Sequence, residues 1–165
     1  NLQLGTHSGT HIDAPAHMIT GGKTLDKFGI DTFVGRGCYI FLQDRKFTLE
    51  AVQNADIKSG DIVIFDTQSS YHFKKPEYFT DYPVMSEEVA LYLLEKGVKM
   101  VGLDTCSADN QADFPVHKIL LSSDILIIEN LTNIEQLTDH SFTVYALPIK
   151  LDLDGAPSRV IAVLN

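Results

Sequence analysis

Cysteine is rare in this chain of 165 residues, and its two copies exclude the common cysteine-based sites. Cys38 and Cys106 lie far apart and fit neither a CxxC pair nor a Cys/His zinc ribbon. Nothing in this usage requires an oxidising compartment, so we expect free thiols and a cytoplasmic protein. Cys38 lies in an apolar run, which favours a buried position, whereas Cys106 follows a predicted strand and is the better candidate to line a pocket.

Basic residues are also few, and long apolar runs are missing from the sequence. Its 13 Lys and Arg against 22 Asp and Glu give a formal net charge of −9, and the basic residues are scattered, so we expect no nucleic-acid partner. No apolar run is long enough to cross a bilayer and no charged-then-apolar leader is seen, so we expect no membrane partner. A hydrophobic content of 44% suits one globular domain over residues 1–165.

Short runs of β-branched and aromatic residues predict six strands, at residues 36–42, 61–65, 98–103, 124–128, 142–147 and 159–164. Two helices are predicted, one from Thr48 to Asn54 and one that is capped by Ser86 and ends at Gly97. A shorter helical turn is predicted over 118–121. Because strands outnumber helices, we expect a mixed α/β or α+β domain with a largely β core.

The segment 67–83 is rich in aromatic residues and shows no helical or strand periodicity. We predict a long ordered loop there, of the type that often forms the wall of a binding pocket. For His72 within it the alternatives are a contact to substrate and a plain loop residue, and we favour the plain loop residue. His140 is interpreted as part of a solvated turn.

Metal-binding side chains are concentrated near the amino terminus, where residues 7–17 read HSGTHIDAPAH. This stretch holds His7, His11, Asp13 and His17, all at odd positions. Successive side chains of an extended backbone point to opposite faces, so equal parity predicts that these four lie on one side.

A helix is a poor alternative for this stretch. Gly9 is a weak helix former, Pro15 lacks an amide hydrogen, and the proline pushes Ala14 to extended angles. A zincin helix would need a Glu directly after the first histidine, where the sequence has Ser8. We therefore predict a strand that runs into a tight loop.

Imidazole nitrogens and carboxylates are the ligands that Zn²⁺, Mn²⁺ and Fe²⁺ accept. We therefore interpret His7, His11 and Asp13 as ligands of a divalent metal, although isolated histidines are more often surface or core residues. His17, on the same parity but beyond this group, is the candidate proton carrier. The alternatives for His17 are a fourth ligand or a donor that orients a ligand.

Three more polar residues lie where a site could gather. His117 precedes the helical turn, Glu129 directly follows the apolar run 124–128, and Asp104 follows the run 98–103. A carboxylate at such a place is either exposed at the end of the strand or turned inward for a purpose. The sequence leaves both alternatives open for Glu129 and Asp104.

The motif resembles the His-x-Gly-Thr-His-x-Asp-x-Pro-x-His signature of the metal-dependent hydrolase and cyclase family, which includes bacterial kynurenine formamidases and isatin hydrolases. In this chain the signature reads GTHSGTHIDAPAH over residues 5–17. The similarity continues through GGKTLDKF (21–28), VGLDTCSAD (101–109) and PVHKILLSSDILIIENL (115–131), and so covers most of the chain.

The resemblance implies roles for particular residues. His7, His11 and Asp13 match the ligands of a first metal, and Asp13 matches a carboxylate that can bridge to a second metal. His117 and Glu129 match the other ligands of that second metal, where the family binds two.

The resemblance also implies that His17 is the catalytic histidine. The implied fold is a swivelling β/β/α type with a small β-barrel-like core and flanking helices, usually assembled as a homodimer or homotetramer. Family members carry a further segment ahead of the motif, whereas here the motif begins almost at residue 1, so we expect this chain to lack that segment.

These observations lead to three functional hypotheses. The first is hydrolysis of an amide, formamide or lactam C–N bond of a small, aromatic-type substrate with one or two Zn²⁺ or Mn²⁺ ions. The second is a metal-dependent cyclase or dehydratase that uses the same residues. The third is a non-catalytic metal-binding module.

Overall fold

The computed structural model describes residues 1 and 3–165. Seven strands close into a barrel in the order β1-β5-β4-β3-β2-β6-β7. Strands β2 to β5 pair in parallel, and β1, β6 and β7 join them through antiparallel pairs. The strands are β1 (His11–Asp13), β2 (Val34–Phe41), β3 (Ile62–Asp66), β4 (Met100–Leu103), β5 (Leu126–Glu129), β6 (Phe142–Pro148) and β7 (Gly155–Leu164).

Short helices connect and flank these strands. The α-helices are α1 (Leu49–Gln53), α2 (Glu77–Thr80), α3 (Glu87–Lys96) and α4 (Pro115–Leu121). Single 3-10 turns span Pro15–His17, Leu25–Lys27, Ile30–Thr32, Gln43–Arg45, Ser69–His72 and Ile134–Leu137. The predicted mixed α/β fold with a barrel core and flanking helices is therefore confirmed.

Local signals located the elements well. Each of the six predicted strand ranges overlaps a strand, and the largest difference in a boundary is at β7, which begins at Gly155 rather than at residue 159. The side chains of Thr48 and Ser86 accept hydrogen bonds from the first turns of α1 and α3, as their capping role predicts. The turn predicted over 118–121 is the second half of α4.

The prediction of a long ordered loop over 67–83 was wrong in part, because the segment contains the Ser69–His72 turn and α2. The ring of Tyr78 is buried and lies 5.2 Å from the ring of Phe73 and 5.0 Å from that of Phe79, centroid to centroid. These aromatic contacts stabilise short helical turns that need no apolar periodicity.

The core has two parts, one inside the barrel and one between the barrel and the helices. Ile62 and Ile64 pack inside, whereas Val63 and Phe65 pack toward α1, α3 and α4. Because β3, β4 and β5 are buried on both faces, their sequences are almost continuously apolar.

No helix of residues 1 and 3–165 combines the length and the apolar character that a membrane span requires.

Candidate metal centre and its cavity

Strands β1 and β5 place three candidate ligands on one face of the sheet. The antiparallel register sets His11 directly opposite Glu129. Ile12 and Ile128 point into the barrel, so the alternation of side chains directs His11, Asp13 and Glu129 to the opposite face. All three are buried there, so Glu129 is turned inward rather than exposed at its strand end.

Asp13 lies at the middle of the cluster. Its Oδ1 is 2.7 Å from Nδ1 of His7 and 3.2 Å from Nε2 of His11. The same Nε2 lies 3.5 Å from Oε2 of Glu129. His11 directs its Nδ1 to the carbonyl oxygen of Gly9 at 2.7 Å, so this nitrogen donates and Nε2 is left with its lone pair toward the cluster.

Helix α4 contributes a fourth group from the other side. Nε2 of His117 lies 3.7 Å from Oδ2 of Asp13 and 3.4 Å from Oε1 of Glu129. The opposite nitrogen, Nδ1, lies 2.6 Å from Oδ1 of Asp109. The second oxygen of Asp109 accepts a hydrogen bond from the backbone N–H of Val116 at 2.6 Å, so one carboxylate binds the first turn of α4 and orients the histidine of that helix.

His17 reaches the cluster from the 3-10 turn Pro15–His17 rather than from the strand. Its Nδ1 lies 3.3 Å from Oδ2 of Asp154, and Nε2 of His7 lies 3.1 Å from the same oxygen. One ligand atom each of His7, Asp13 and His17 lies within 4.8 Å of the others. His17 is therefore placed for proton transfer, and the alternative of a fourth ligand stays open.

Only two of the four residues at odd positions, His11 and Asp13, lie in an extended strand, so the prediction that all four share one face of a strand was wrong for His7 and His17. Only His11 and Asp13 lie in β1, and their shared face follows from strand geometry. His7 lies in a turn and His17 in a helical turn, where alternation does not apply. The centroids of the His7 and His17 rings lie 4.0 Å apart, because both side chains contact Asp154.

Carboxylates dominate the electrostatics of the cluster. Burial lowers the pKa of His7, but hydrogen bonds and charge from Asp13 and Asp154 outweigh it and raise the pKa to about 9. Burial likewise opposes the rise at His117, where the acidic neighbours, Asp109 foremost, raise the pKa to about 11. Burial would raise the pKa of Asp13, but the surrounding histidines hold it well below its usual range. The cluster thus favours a positive charge at its centre.

The pKa values of His17 and Glu129 shift in the directions opposite to those of the other histidines and of Asp13. Burial lowers the pKa of His17, and the charge of His7 acts in the same direction against the attraction of Asp13. Burial and the nearby charge of Asp13 raise the pKa of Glu129, against hydrogen bonding from His117. His17 is therefore a neutral imidazole near neutral pH, a state that can accept a proton.

This donor set fits a divalent cation. Within residues 1 and 3–165, Nε2 of His11 and Oδ2 of Asp13 are buried without a hydrogen-bond partner, which is costly unless something else binds them. One ligand atom each of His11, Asp13 and Glu129 lies within 4.8 Å of the others, with Asp13 common to this group and to the one that contains His7. Imidazole and carboxylate ligands with one shared carboxylate suit one ion or two.

His7, His11, His17, His117 and Glu129 of the cluster line a cavity of about 740 Å³. Phe73, Phe79 and Tyr82 from segment 67–83 form part of its wall, as the sequence predicted. The cavity is lined by His7, Gly9, His11, His17, Met18, Phe73, Phe79, Tyr82, Cys106, Ser107, Phe114, His117, Glu129 and Asn130.

Cys106 lines this cavity and Cys38 is buried, and both are free, as predicted. Burial and the charge of Glu129 raise the pKa of the Cys106 thiol, which keeps it protonated and weakly nucleophilic.

The other candidates from the sequence lie elsewhere. Asp104 is buried, and its carboxylate accepts hydrogen bonds from the Thr67 hydroxyl and from the backbone N–H groups of Thr67 and Ser70. It therefore anchors the aromatic segment instead of facing the cavity. His72 and His140 do not line the cavity, and His140 is exposed.

Sequence reasoning missed Asp109 and Asp154. Asp109 closes the stretch VGLDTCSAD, but its role depends on how α4 turns back toward it. Asp154 reaches His7 and His17 only through the pairing of β7 with β1, which sets Gly155 opposite Asp13. A Cβ on Gly155 would meet Cε1 of His7 at 2.8 Å, so a glycine after Asp154 is the one local signal of this close approach.

We expect Asp154→Asn to lower kcat about 10- to 100-fold with a smaller change in KM, measured at saturating metal. Asparagine keeps the size of the side chain but loses the charge that holds the N–H groups of His7 and His17. Asp152→Asn is the matched control, because this exposed neighbour accepts a hydrogen bond from the Thr24 hydroxyl at 2.8 Å, lies 3.8 Å from Nζ of Lys27, and does not line the cavity. Equal activity of the two variants would contradict an orienting role for Asp154.

Comparison with known proteins is consistent with this geometry. The family model described as "Putative cyclase" matches residues 1–110. A kynurenine formamidase from Bacillus mycoides is 29% identical over 164 residues, which cover 97% of this chain and 77% of that protein.

Solved structures share the fold over almost the whole chain. One described as a potential metal-dependent hydrolase with cyclase activity is 32% identical, with a TM-score of 0.86 over 97% of this chain and 80% of that chain. Isatin hydrolase A from Labrenzia aggregata, solved with benzyl benzoate, has a TM-score of 0.88 at 24% identity over 98% of this chain and 75% of that chain. At that identity the likeness to isatin hydrolase A concerns the fold alone.

Proposed function

Because the chain belongs to the cyclase family, we propose that it is a metal-dependent hydrolase that cleaves a C–N bond in a small amide, formamide or lactam. The observation that carries the proposal is the position of Asp13 between His7, His11 and His117, with His17 beside them on the wall of the same cavity. The similarity to kynurenine formamidase supports an N-formyl aromatic amine as the type of substrate.

In the proposed assignment, His7, His11 and Asp13 hold one divalent cation, Zn²⁺ or Mn²⁺. Asp13, His117 and Glu129 hold a second ion if two bind. When bound, such a cation supplies hydroxide at neutral pH and polarises the carbonyl of the substrate. Asp109 and the carbonyl of Gly9 fix the rings of His117 and His11, so their Nε2 atoms stay directed at Asp13 and Glu129, where they would be available to hold an ion.

His17 performs the proton transfer in this proposal. Asp154 faces its Nδ1, so the opposite nitrogen is available on the cavity side. The neutral imidazole takes the proton that the attacking water gives up and delivers it to the departing nitrogen. Without that delivery an amine would have to leave as an anion. The aromatic wall at Phe73, Phe79 and Tyr82 supports an aromatic substrate held by ring contacts.

A cyclase or dehydratase is the second candidate, and it is favoured by the similarity to a protein described with cyclase activity. The same cation and the same His17 could serve removal of water instead of its addition. We further propose that the protein acts in the cytoplasm as a homodimer or homotetramer.

The test begins with elemental analysis of the protein as purified. Formate release from N-formyl aromatic amines and ring opening of isatin are then measured with the metal found, with chelated protein and after metal is restored. We expect bound Zn or Mn, and activity that disappears on chelation and returns with metal. Metal-loaded protein that hydrolyses none of these compounds but dehydrates a hydroxy acid would favour the second candidate.

A further inference from the structure

Asn130 directly follows the candidate ligand Glu129 at the end of β5, and both residues line the cavity of about 740 Å³. Consecutive side chains of a regular strand point to opposite faces, so two neighbours on one cavity require a break in the strand geometry. Asn130 provides that break, because its backbone lies in the left-handed region with a φ of 58°.

The backbone conformation alone does not explain an asparagine at this position. Glycine adopts a positive φ most easily, and asparagine is one of the few other residues that adopt it readily. Compared with glycine, asparagine adds a side chain with one hydrogen-bond acceptor group and two N–H donors. Non-glycine residues in this region also collect at active sites, where the surrounding structure must hold them in place.

Hydrogen bonds on three sides hold Asn130. Its backbone N–H donates to the carbonyl oxygen of Thr105 at 2.9 Å, and its own carbonyl oxygen accepts from the Thr10 hydroxyl at 2.6 Å. The Tyr78 hydroxyl donates to Oδ1 of the side chain at 2.7 Å. Burial raises the pKa of Tyr78, so this hydroxyl keeps the proton that it donates. Asn130 is therefore fixed before any ligand binds.

The other end of the side-chain amide is free. Because Oδ1 accepts the proton of Tyr78, the Nδ2 amino group points away from that hydroxyl. Nδ2 donates to no other group in the part of the chain that the structure describes, and it is not among the atoms that are buried there without a partner. Two N–H donors are thus available to a ligand in the cavity, one residue along the chain from Glu129.

Resting on the proposed hydrolase function, we propose that Nδ2 of Asn130 donates a hydrogen bond to the carbonyl oxygen of the scissile amide. Attack of hydroxide on the carbonyl carbon forms a C–O bond and moves the π electrons to that oxygen, which becomes an oxyanion. When the C–N bond breaks, its electron pair leaves with the nitrogen, to which His17 delivers the proton. A fixed donor binds the oxyanion more tightly than the neutral carbonyl, so it lowers the barrier to reaction. Asn130 is then a further catalytic residue, and Tyr78 is the residue that positions it.

The first variant is Asn130→Gly, which removes the donor but keeps the backbone conformation, because glycine adopts a positive φ without strain. Tyr78 retains an acceptor, since its hydroxyl lies 3.3 Å from the carbonyl oxygen of Asp104. At saturating metal we expect kcat for formanilide to fall about 10²-fold with little change in KM. Asn133→Gly is the matched control, because Asn133 has the same φ of 58° but is exposed and does not line the cavity.

A change of acceptor in the substrate distinguishes a hydrogen bond from a structural effect. Thioformanilide has sulfur in place of the carbonyl oxygen, and sulfur is the weaker hydrogen-bond acceptor. Asn130→Gly should therefore lower the ratio of kcat/KM for formanilide over thioformanilide roughly tenfold, the value of one hydrogen bond, whereas Asn133→Gly should leave it unchanged. Equal losses for both substrates would indicate a purely structural role and would overturn the proposal.

Asn130→Asp tests the sign of the interaction. Aspartate also tolerates a positive φ and still accepts from Tyr78, but it replaces the N–H donors with a negative charge. We expect kcat for formanilide to fall further than in Asn130→Gly, with metal content checked by elemental analysis of the same preparations. A smaller loss than in Asn130→Gly would contradict a donor role.

Equilibrium binding separates this proposal from the proposed function. In metal-free protein with ¹⁵N-labelled asparagine, the side-chain amide signal that is absent from Asn130→Gly is assigned to Asn130. A downfield shift of this signal with formanilide, and a smaller shift with thioformanilide, would support the contact, and failure to hydrolyse either compound would then contradict the hydrolase alone. Hydrolysis of both compounds with an unchanged ratio and an unmoved Asn130 signal would support the hydrolase and overturn the role of Asn130.

Discussion

Asp13→Ala is expected to eliminate metal binding and to reduce hydrolysis to background. The Asp13 carboxylate contacts His7, His11 and His117 and is the one group common to both sets of candidate ligands. Without Asp13, the first site would retain only His7 and His11, and the second would retain only His117 and Glu129. Loss of the cation would also remove the hydroxide that it supplies at neutral pH. Elemental analysis after dialysis against the metal, together with the formamidase assay, measures both effects.

The matched variant is Asp13→Asn, which keeps the volume of the side chain but removes its charge. Asp13→Ala also leaves three partly or fully buried imidazoles without their common acceptor, so some loss of stability is expected. Far-UV circular dichroism and a thermal scan identify any variant that fails to fold. A folded Asp13→Ala protein that retains stoichiometric metal would refute the assignment of Asp13 as a ligand.

His17→Ala should lower kcat by about 10²- to 10⁴-fold while metal content stays intact. His17 lies at the edge of the cluster, where its Nδ1 faces Asp154, and it lines the cavity. Its neutral state near neutral pH suits it to accept and return a proton, which is the contribution that the variant removes. The measurements are steady-state kinetics with saturating metal and elemental analysis of the same preparation.

His140→Ala is the control for this variant, because His140 is exposed and lies outside the cavity. Metal and activity that fall together in His17→Ala would instead identify His17 as a fourth ligand. That outcome is the alternative left open by the 4.8 Å grouping of His7, Asp13 and His17.

The parts of the structure that depend on local signals could be predicted from the sequence. The strands follow from alternating or continuous apolar runs, and α1 and α3 follow from their capping residues Thr48 and Ser86. The extended course of β1 follows from Pro15, and Ala14 has the extended angles that a following proline imposes, with φ −101° and ψ 163°. The six candidate site residues carry the right chemistry, and the fold brings them together.

The groups that orient these residues could not be predicted in the same way. Asp109 reaches His117 only because the chain turns back at α4. Asp154 reaches His7 and His17 only because β1 and β7 pair residues that are more than 140 positions apart. Composition and local spacing do not indicate which distant strands pair when the barrel forms. The assembly state, the single-domain assignment, the cytoplasmic location and the roles of the individual site residues stay predictions.

Strand β1 has only three residues, yet it pairs with β5 on one side and β7 on the other and so completes the ring of strands. Two of those three residues are candidate ligands, and a third, Glu129, belongs to the neighbouring strand. A cation bound by His11, Asp13 and Glu129 would link β1 to β5, and the unfolded chain offers no comparable set of ligands. Metal uptake and the integrity of the protein are therefore thermodynamically linked, and a saturating ion at about 100 times its Kd would add about 2.7 kcal/mol to the free energy of unfolding. Starvation for the metal would then deplete the folded protein as well as its activity.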